Sequence, residues 1–167
     1  ITAFAPQELV EVMVEGNDPQ VRRMAAGYLG AIAGQGKSEE VATSVVESLQ
    51  FDAMAKDVPW KEGALFLPAI SWNKSDATKL VGELVRWMLW CDVNNKQEEK
   101  QQIHNNLRSL ALAKVAGYKS PGWQDVNTNA WLVAWGSVVG RKGIEEILEE
   151  QDLGENGKYN AALNGLK

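Results

Sequence analysis

Apolar residues recur along this chain mostly three and four positions apart, the spacing that places side chains on one face of an α-helix. Residues 8–15 carry Leu9, Val10, Val12, Met13 and Val14 and end at Gly16, which predicts a short helix with a glycine stop. Asp18 is placed to cap the next helix, and Pro19 suits its first position, where the missing N–H would be unpaired anyway. Val21, Ala25, Tyr28, Leu29 and Ile32 then mark an inner face, and Gly34, Gln35 and Gly36 break the helix. Ser38 is expected to cap a third helix with Glu39 and Glu40 in its first turn and Val41, Val45, Val46 and Leu49 inward.

Residues 63–70 are apolar but broken by Pro68, and fit a short bent helix or a strand equally. Residues 75–92 hold the helical period through Ala77, Leu80, Val81, Leu84, Val85 and Met88. Trp87, Leu89 and Trp90 make the second half of that helix apolar on most sides, so it should be deeply buried. Further helices are expected over residues 94–117, ended by Gly117, and over residues 124–139 after Ser120 and Pro121. A last acidic one over residues 143–150 turns Ile144, Ile147 and Leu148 inward. The connections are short, which predicts a single domain over residues 1–167.

Composition narrows the function classes. The chain has 167 residues, of which 45% are hydrophobic, enough for a real core, and a net charge of −5. A phosphate-neutralising basic stripe is missing, and the only compact basic groups are Arg22 with Arg23, Lys56 with Lys61, and Arg141 with Lys142. Nucleic acid is therefore disfavoured as a partner. No apolar run is long enough for a transmembrane helix, so no membrane insertion is expected. A single cysteine, Cys91, excludes an internal disulfide framework without fixing the compartment, cytoplasmic or secreted. Residues 159–163 look like the start of a further helix, which suggests a piece of a longer chain. Asn73, Lys74 and Ser75 have the N-glycosylation spacing, a tripeptide common by chance.

The run from Asp18, Pro19, Val21 and Arg22 through Ala25 and Ala26 to Leu29, Gly30 and Ile32 resembles the HEAT-repeat family. More narrowly it is similar to the bacterial HEAT-like repeats of phycobilisome lyases and of many unrelated scaffolds. That family's first helix reads Asp-Pro-x-Val-Arg, then Ala-Ala, then Leu-Gly-x-Ile, and all those positions match. A weaker copy over residues 131–147 pairs Gly30 with Gly136, Gly34 with Gly140 and Val41 with Ile147. The strong match covers about one hairpin.

The resemblance implies an all-α fold, an α-α superhelix of stacked helical hairpins, whose exposed face binds a protein or peptide without catalysis or cofactor. It does not say which partner, because the fold hosts many functions. A bilin-lyase-like helper role follows from the analogy alone. Small residues at Ala25, Ala26, Gly27 and Gly30 should let helices approach closely, and Asp18 and Arg22, four apart, should pair along one face.

A rival reading starts from residues 31–38, which fit a permissive Walker A pattern with Ala31 in place of the first glycine. There Gly36 would help cradle phosphate, Lys37 would reach the β and γ oxygens and Ser38 would hold magnesium. The apolar run 87–92 would end on a metal-binding Asp92, with strands at 28–33, 64–70, 86–91 and 131–139. Three features favour an inter-helix turn instead. The Asp-Pro start and the alanine pair are poor in a strand. Lys79, Glu83 and Arg86 precede Asp92 at helical spacing. Ala31 removes a position where backbone freedom matters.

The remaining reactive residues are sparse. His104 is the only histidine and sits on the polar-to-apolar edge of its helix, where a solvent or hydrogen-bonding role is expected. Cys91 lies on an apolar face and reads as an inert thiol. Glu145, Glu146, Glu149, Glu150 and Asp152 read as a solvated acidic face. Seven tryptophans are many for this length. Trp87, Trp90, Trp131 and Trp135 fall in apolar helical stretches, whereas Trp60, Trp72 and Trp123 fall in loops, where an exposed indole makes a good interface anchor. The expected partner face is thus Trp60, Trp72 and Trp123 with Arg22 and Arg23.

Overall fold

A computed structural model describes residues 5–55, 57–115, 127–154 and 157–166, with the side chains of residues 114 and 115 left aside. The expected endings at Gly117 and the start at Ser120 and Pro121 lie outside the described residues. About three-quarters of the described chain is helical. The helices among the described residues are α1 Pro6–Glu15, α2 Pro19–Ile32, α3 Ser38–Ser48, α4 Lys74–Val93, α5 Gln97–Ala111, α6 Thr128–Val139, α7 Arg141–Glu150 and α8 Asn160–Gly165. The ambiguous segment resolves into two 3₁₀ turns, Gly63–Leu65 and Leu67–Ala69. Pro68 accounts for the short second turn, since it fits a first helical turn but cannot continue a ladder. The nearest approach to a sheet is a parallel pairing of β1, Ser71–Trp72, with β2, Lys114–Val115. The strands drawn over 28–33, 86–91 and 131–139 are helices instead.

The caps show why the helices start where they do. The Asp18 side chain accepts from the Gln20 N–H at 2.9 Å, with Pro19 following. Asn73 accepts from the Asp76 N–H at 2.8 Å and starts α4, so the residue with glycosylation spacing is an N-cap. Asn127 does the same for α6 through the Ala130 N–H at 3.0 Å. Helices α4 and α7 end alike. Asn95 and Asp152 take positive φ, 56° and 57°. The next N–H then turns back to the helix, Lys96 to the Cys91 carbonyl at 2.9 Å and Leu153 to the Leu148 carbonyl at 2.8 Å.

Helix α4 is central. It packs on α3, α5, α6 and α7, and Ala77, Leu80, Val81, Leu84, Val85, Trp87, Met88, Leu89 and Cys91 are all buried. Helix α1 packs on both α2 and α3, which touch each other less than either touches α1. Helix α8 closes over α6 and α7. The buried side chains form one contiguous hydrophobic cluster running from Leu9 to Leu166.

The buried stripe of α2 is rotated from the expected one. Ala25, Ala26, Leu29 and Gly30 face inward, while Val21 and Tyr28 face out. The reason is close backbone approach: a Cβ on Gly30 would sit 2.7 Å from the Leu65 carbonyl oxygen. Gly27 lies on the outer side with nothing within 4 Å of its Cβ position. Two alanine substitutions should therefore have opposite signs in a denaturant titration. Gly30→Ala should destabilise by about 1–3 kcal/mol, because a rigid carbonyl must move. Gly27→Ala should stabilise by about 0.5–1 kcal/mol through helix propensity. Equal effects at the two positions would refute the rotated stripe.

Hairpins α2–α3 and α6–α7 correspond to the two sequence copies but close differently. The first turns through a five-residue bulge, Ala33–Lys37, in which Gly36 adopts φ +94°. The second turns at Gly140, φ +90°. Gly136, the counterpart of Gly30, is tight against the Leu166 and Ile144 side chains rather than against backbone.

Candidate functional site

Arg22 lies at the centre of a structural tie. Its Nε and Nη2 atoms donate to the two Glu62 carboxylate oxygens at 2.8 and 3.2 Å. Its Nη1 donates to the carbonyls of Val14 and Gly16 at the end of α1, at 3.2 and 3.4 Å. The expected Asp18–Arg22 pair is replaced by this one, because Asp18 is already the cap and a fork-shaped guanidinium gains two bonds on Glu62. Burial opposes charge on Glu62, but the Arg22 hydrogen bond and the Lys61 backbone N–H outweigh it and hold the carboxyl below its ordinary value. Arg23 stays exposed. With Lys61 it lines an open groove of about 590 Å³ that also touches Pro19, Arg22, Glu62 and Leu65.

The loop tryptophans are not surface anchors where the structure describes them. Trp60 is 0% exposed and Trp72 1%. Trp60 donates from Nε1 to Ser48 Oγ at 3.0 Å and meets Phe66 edge-on, ring centroids 5.2 Å apart. Trp72 donates to the Leu67 carbonyl at 3.3 Å, and Trp87 to the Leu49 carbonyl at 2.8 Å. These indoles supply both apolar bulk and a partner for carbonyls and hydroxyls that a helix end or turn leaves over. Trp123 lies outside the described residues. His104, expected at a polar edge, is buried and stacks on Trp131, ring centroids 4.1 Å apart and planes 11° apart.

Gly36 and Lys37 lie in the bulge between α2 and α3 and Ser38 opens α3, with no strand leading into them. Ser38 does not cap α3 either. Its Oγ donates to the Ala33 carbonyl at 3.2 Å and accepts from the Ser71 N–H at 3.1 Å, pinning the bulge to β1.

Asp92 lies in a different tie. Its Oδ1 accepts from Lys100 Nζ at 2.9 Å, and its Oδ2 accepts from the Tyr159 hydroxyl at 2.6 Å and from Lys158 Nζ at 3.1 Å. Lys100 Nζ also donates to Thr128 Oγ1 at 3.1 Å. One carboxylate thus joins the end of α4 to α5, α6 and the residue before α8. Burial disfavours its charge, but the Tyr159, Lys100, Lys158 and Thr128 contacts prevail and hold it well below the usual carboxylate range. Burial, followed by the hydrogen bond to Asp92 and then its charge, pushes the Tyr159 hydroxyl above its ordinary value. Neither Lys100, Thr128 nor Tyr159 carries a sequence signal for this role, since Tyr159 is 67 positions from Asp92. Next door, burial pushes the Cys91 thiol up to about 12, with the Glu99 charge adding to it. A buried thiol of that kind is a poor nucleophile.

Helix α2 carries a row of exposed large apolar residues. Val21, Met24 and Tyr28 are 43%, 54% and 51% exposed. At 100° per residue they share one face with Gln20, Gly27 and Ala31, also exposed, and no Asp, Glu, Lys or Arg falls in that arc. Sequence reasoning placed Val21 and Tyr28 in the core together with Ala25 and Leu29, which are buried, while the small residues at Ala25, Ala26 and Gly30 mark the true buried side.

Comparison with known proteins gives no relative: no protein-family model, no curated protein and no solved structure matches this chain.

Proposed function

We propose that this chain is a non-enzymatic, HEAT-like helical domain that binds a protein partner through the outer face of α2. The observation that carries the reading is the row Val21, Met24 and Tyr28, half-exposed and without an intervening charge. Single exposed apolar residues are ordinary, but large ones aligned on one uncharged helix face mark a docking surface. Gly27 and Ala31 lie beside the row on the same exposed face and allow a partner backbone to come close. The Asp-Pro-x-Val-Arg run that starts α2 supports the HEAT-like assignment, as does the recurrence of a Gly-marked hairpin at α6–α7.

Met24→Asp tests the reading. Immobilised wild-type and variant chains are incubated with a lysate of the source cells, and the retained proteins are identified by mass spectrometry. A specific protein retained by the wild type should be depleted at least about tenfold on the variant, since a charge in an apolar interface is left unpaired. Stability should change by no more than about 0.5 kcal/mol, as for other exposed substitutions. Identical retention on both chains would show that the α2 face is not the docking surface.

A further inference from the structure

A second surface carries a more specific partner chemistry. Where α4 and α7 end, a groove of about 310 Å³ opens between them and the segment after α3. Its apolar walls are Phe51, Trp90, Val93 and Leu153, and its polar rim includes Glu150 and Asp152. Val93 is 44% exposed although it ends a helix that is otherwise buried along most of its length. Trp90, against Trp87 edge-on at 5.7 Å, is the least buried indole of that helix.

Carboxylates outnumber cations at this groove. Both helices present their C-terminal ends here, where the macrodipole is negative, and neither has a basic residue in its last turn. Helix α7 instead places Glu149 and Glu150 there, against the usual preference. Arg86 answers part of this charge, donating to Glu150 at 2.9 and 3.2 Å and to Glu83 at 3.4 Å. One guanidinium between two carboxylates leaves that trio net negative, and the exposed Asp152 adds a further charge. One ammonium, that of Lys96, already lies 5.9 Å from the Trp90 ring centroid, the arrangement a cation takes over an electron-rich face. Among the described residues, no basic side chain lines the groove itself.

We propose that this groove docks a basic segment of a partner protein, seating one apolar side chain between Phe51, Trp90 and Val93 with a lysine or arginine beside Asp152 and Glu150. The inference rests on the protein-binding reading and adds the chemistry of the partner. Apolar walls supply the anchor, while the acidic rim and the two helix ends select its sign of charge.

The probe is a short fluorescein-labelled peptide of alternating lysine and leucine, followed by fluorescence anisotropy on the full chain. Glutamate–leucine and lysine–glycine peptides serve as controls. Wild type should bind the lysine–leucine peptide at least about tenfold more tightly than either control, because both anchor and charge are required. Val93→Asp separates the two contributions. It adds negative charge, so attraction by charge alone would strengthen binding, whereas loss of the apolar seat should weaken it at least about threefold. Asp152→Asn, which an asparagine can make without leaving positive φ, should weaken binding about threefold.

Absent binding by wild type, equal binding of the lysine–glycine peptide, tighter binding by Val93→Asp, or unchanged affinity in Asp152→Asn would each overturn the proposal. Met24→Asp should leave the peptide affinity unchanged. Retention of a partner that Met24→Asp abolishes, with a groove that ignores the peptide, would leave the α2 reading standing and remove only this one.

Discussion

Replacing Trp60 by alanine is expected to destabilise the chain by about 3–5 kcal/mol, the range for emptying a large aromatic site in a packed core. The residue is fully buried and lies in the irregular segment before the first 3₁₀ turn, where a loop indole would ordinarily be read as a surface feature. Two losses add. The cavity left beside Phe66 removes an edge-on aromatic contact, and Ser48 Oγ loses its donor at 3.0 Å. Ser48 is the last residue of α3, and its own hydroxyl donates to the Val45 carbonyl at 2.7 Å, so the effect reaches the end of that helix. Trp60→Phe keeps most of the apolar area and should cost less, about 1–2 kcal/mol, mainly the missing hydrogen bond and residual void. Urea denaturation followed by far-UV circular dichroism measures both. A wild-type midpoint for Trp60→Ala would mean the indole is a surface anchor after all.

Asp92→Asn should cost about 3 kcal/mol at neutral pH, because it leaves Lys100 half-buried without its counter-ion and weakens the Tyr159 bond. The penalty should depend on pH. The Asp92 carboxyl is held well below its ordinary value in the folded chain, so the unfolded chain takes up its proton first as the solution is acidified. The stabilisation from Asp92 is therefore complete above the ordinary carboxylate range, near pH 4, and is lost as pH falls below it. Wild type and Asp92→Asn should converge in stability on acidification. At the alkaline end the sign reverses. Tyr159 holds its proton more tightly folded than unfolded, so wild-type stability should also fall as pH rises through about 10. Tyr159→Phe should lessen that alkaline slope, leaving the part that the buried Cys91 thiol contributes. Denaturant titrations across pH decide the matter: a difference between wild type and Asp92→Asn that stays constant from neutral to acid would refute the tie.

The groove at the ends of α4 and α7 was invisible in the sequence for a simple reason. Phe51, Trp90 and Leu153 belong to three separate segments of the chain, and nothing in the local pattern says that they converge. The acidic run at Glu149, Glu150 and Asp152 was legible, but as a solvated face. Its setting beside a half-buried Trp90 and an exposed Val93 is what gives it a partner chemistry.

The helical class and most element positions were legible because their causes are local. Asp18 and Pro19 act within one turn, Gly36 acts through its own φ, and the apolar period of residues 75–92 spans a single helix. What lay beyond sequence reasoning depended on distant neighbours. The small residues of α2 were visible, but only the Leu65 backbone decides that Gly30 faces inward and Tyr28 outward. Arg22 had a plausible partner four residues away in Asp18, and folding gave it Glu62, forty positions on. Asp92 matched a metal-binding pattern, and packing gave it Tyr159. Local propensity and periodicity place helices because hydrogen bonds within them join residues a turn apart. Rotation, burial of a loop tryptophan and the choice of an ion-pair partner are decided when the helices pack, because only then does one side chain exclude water from another.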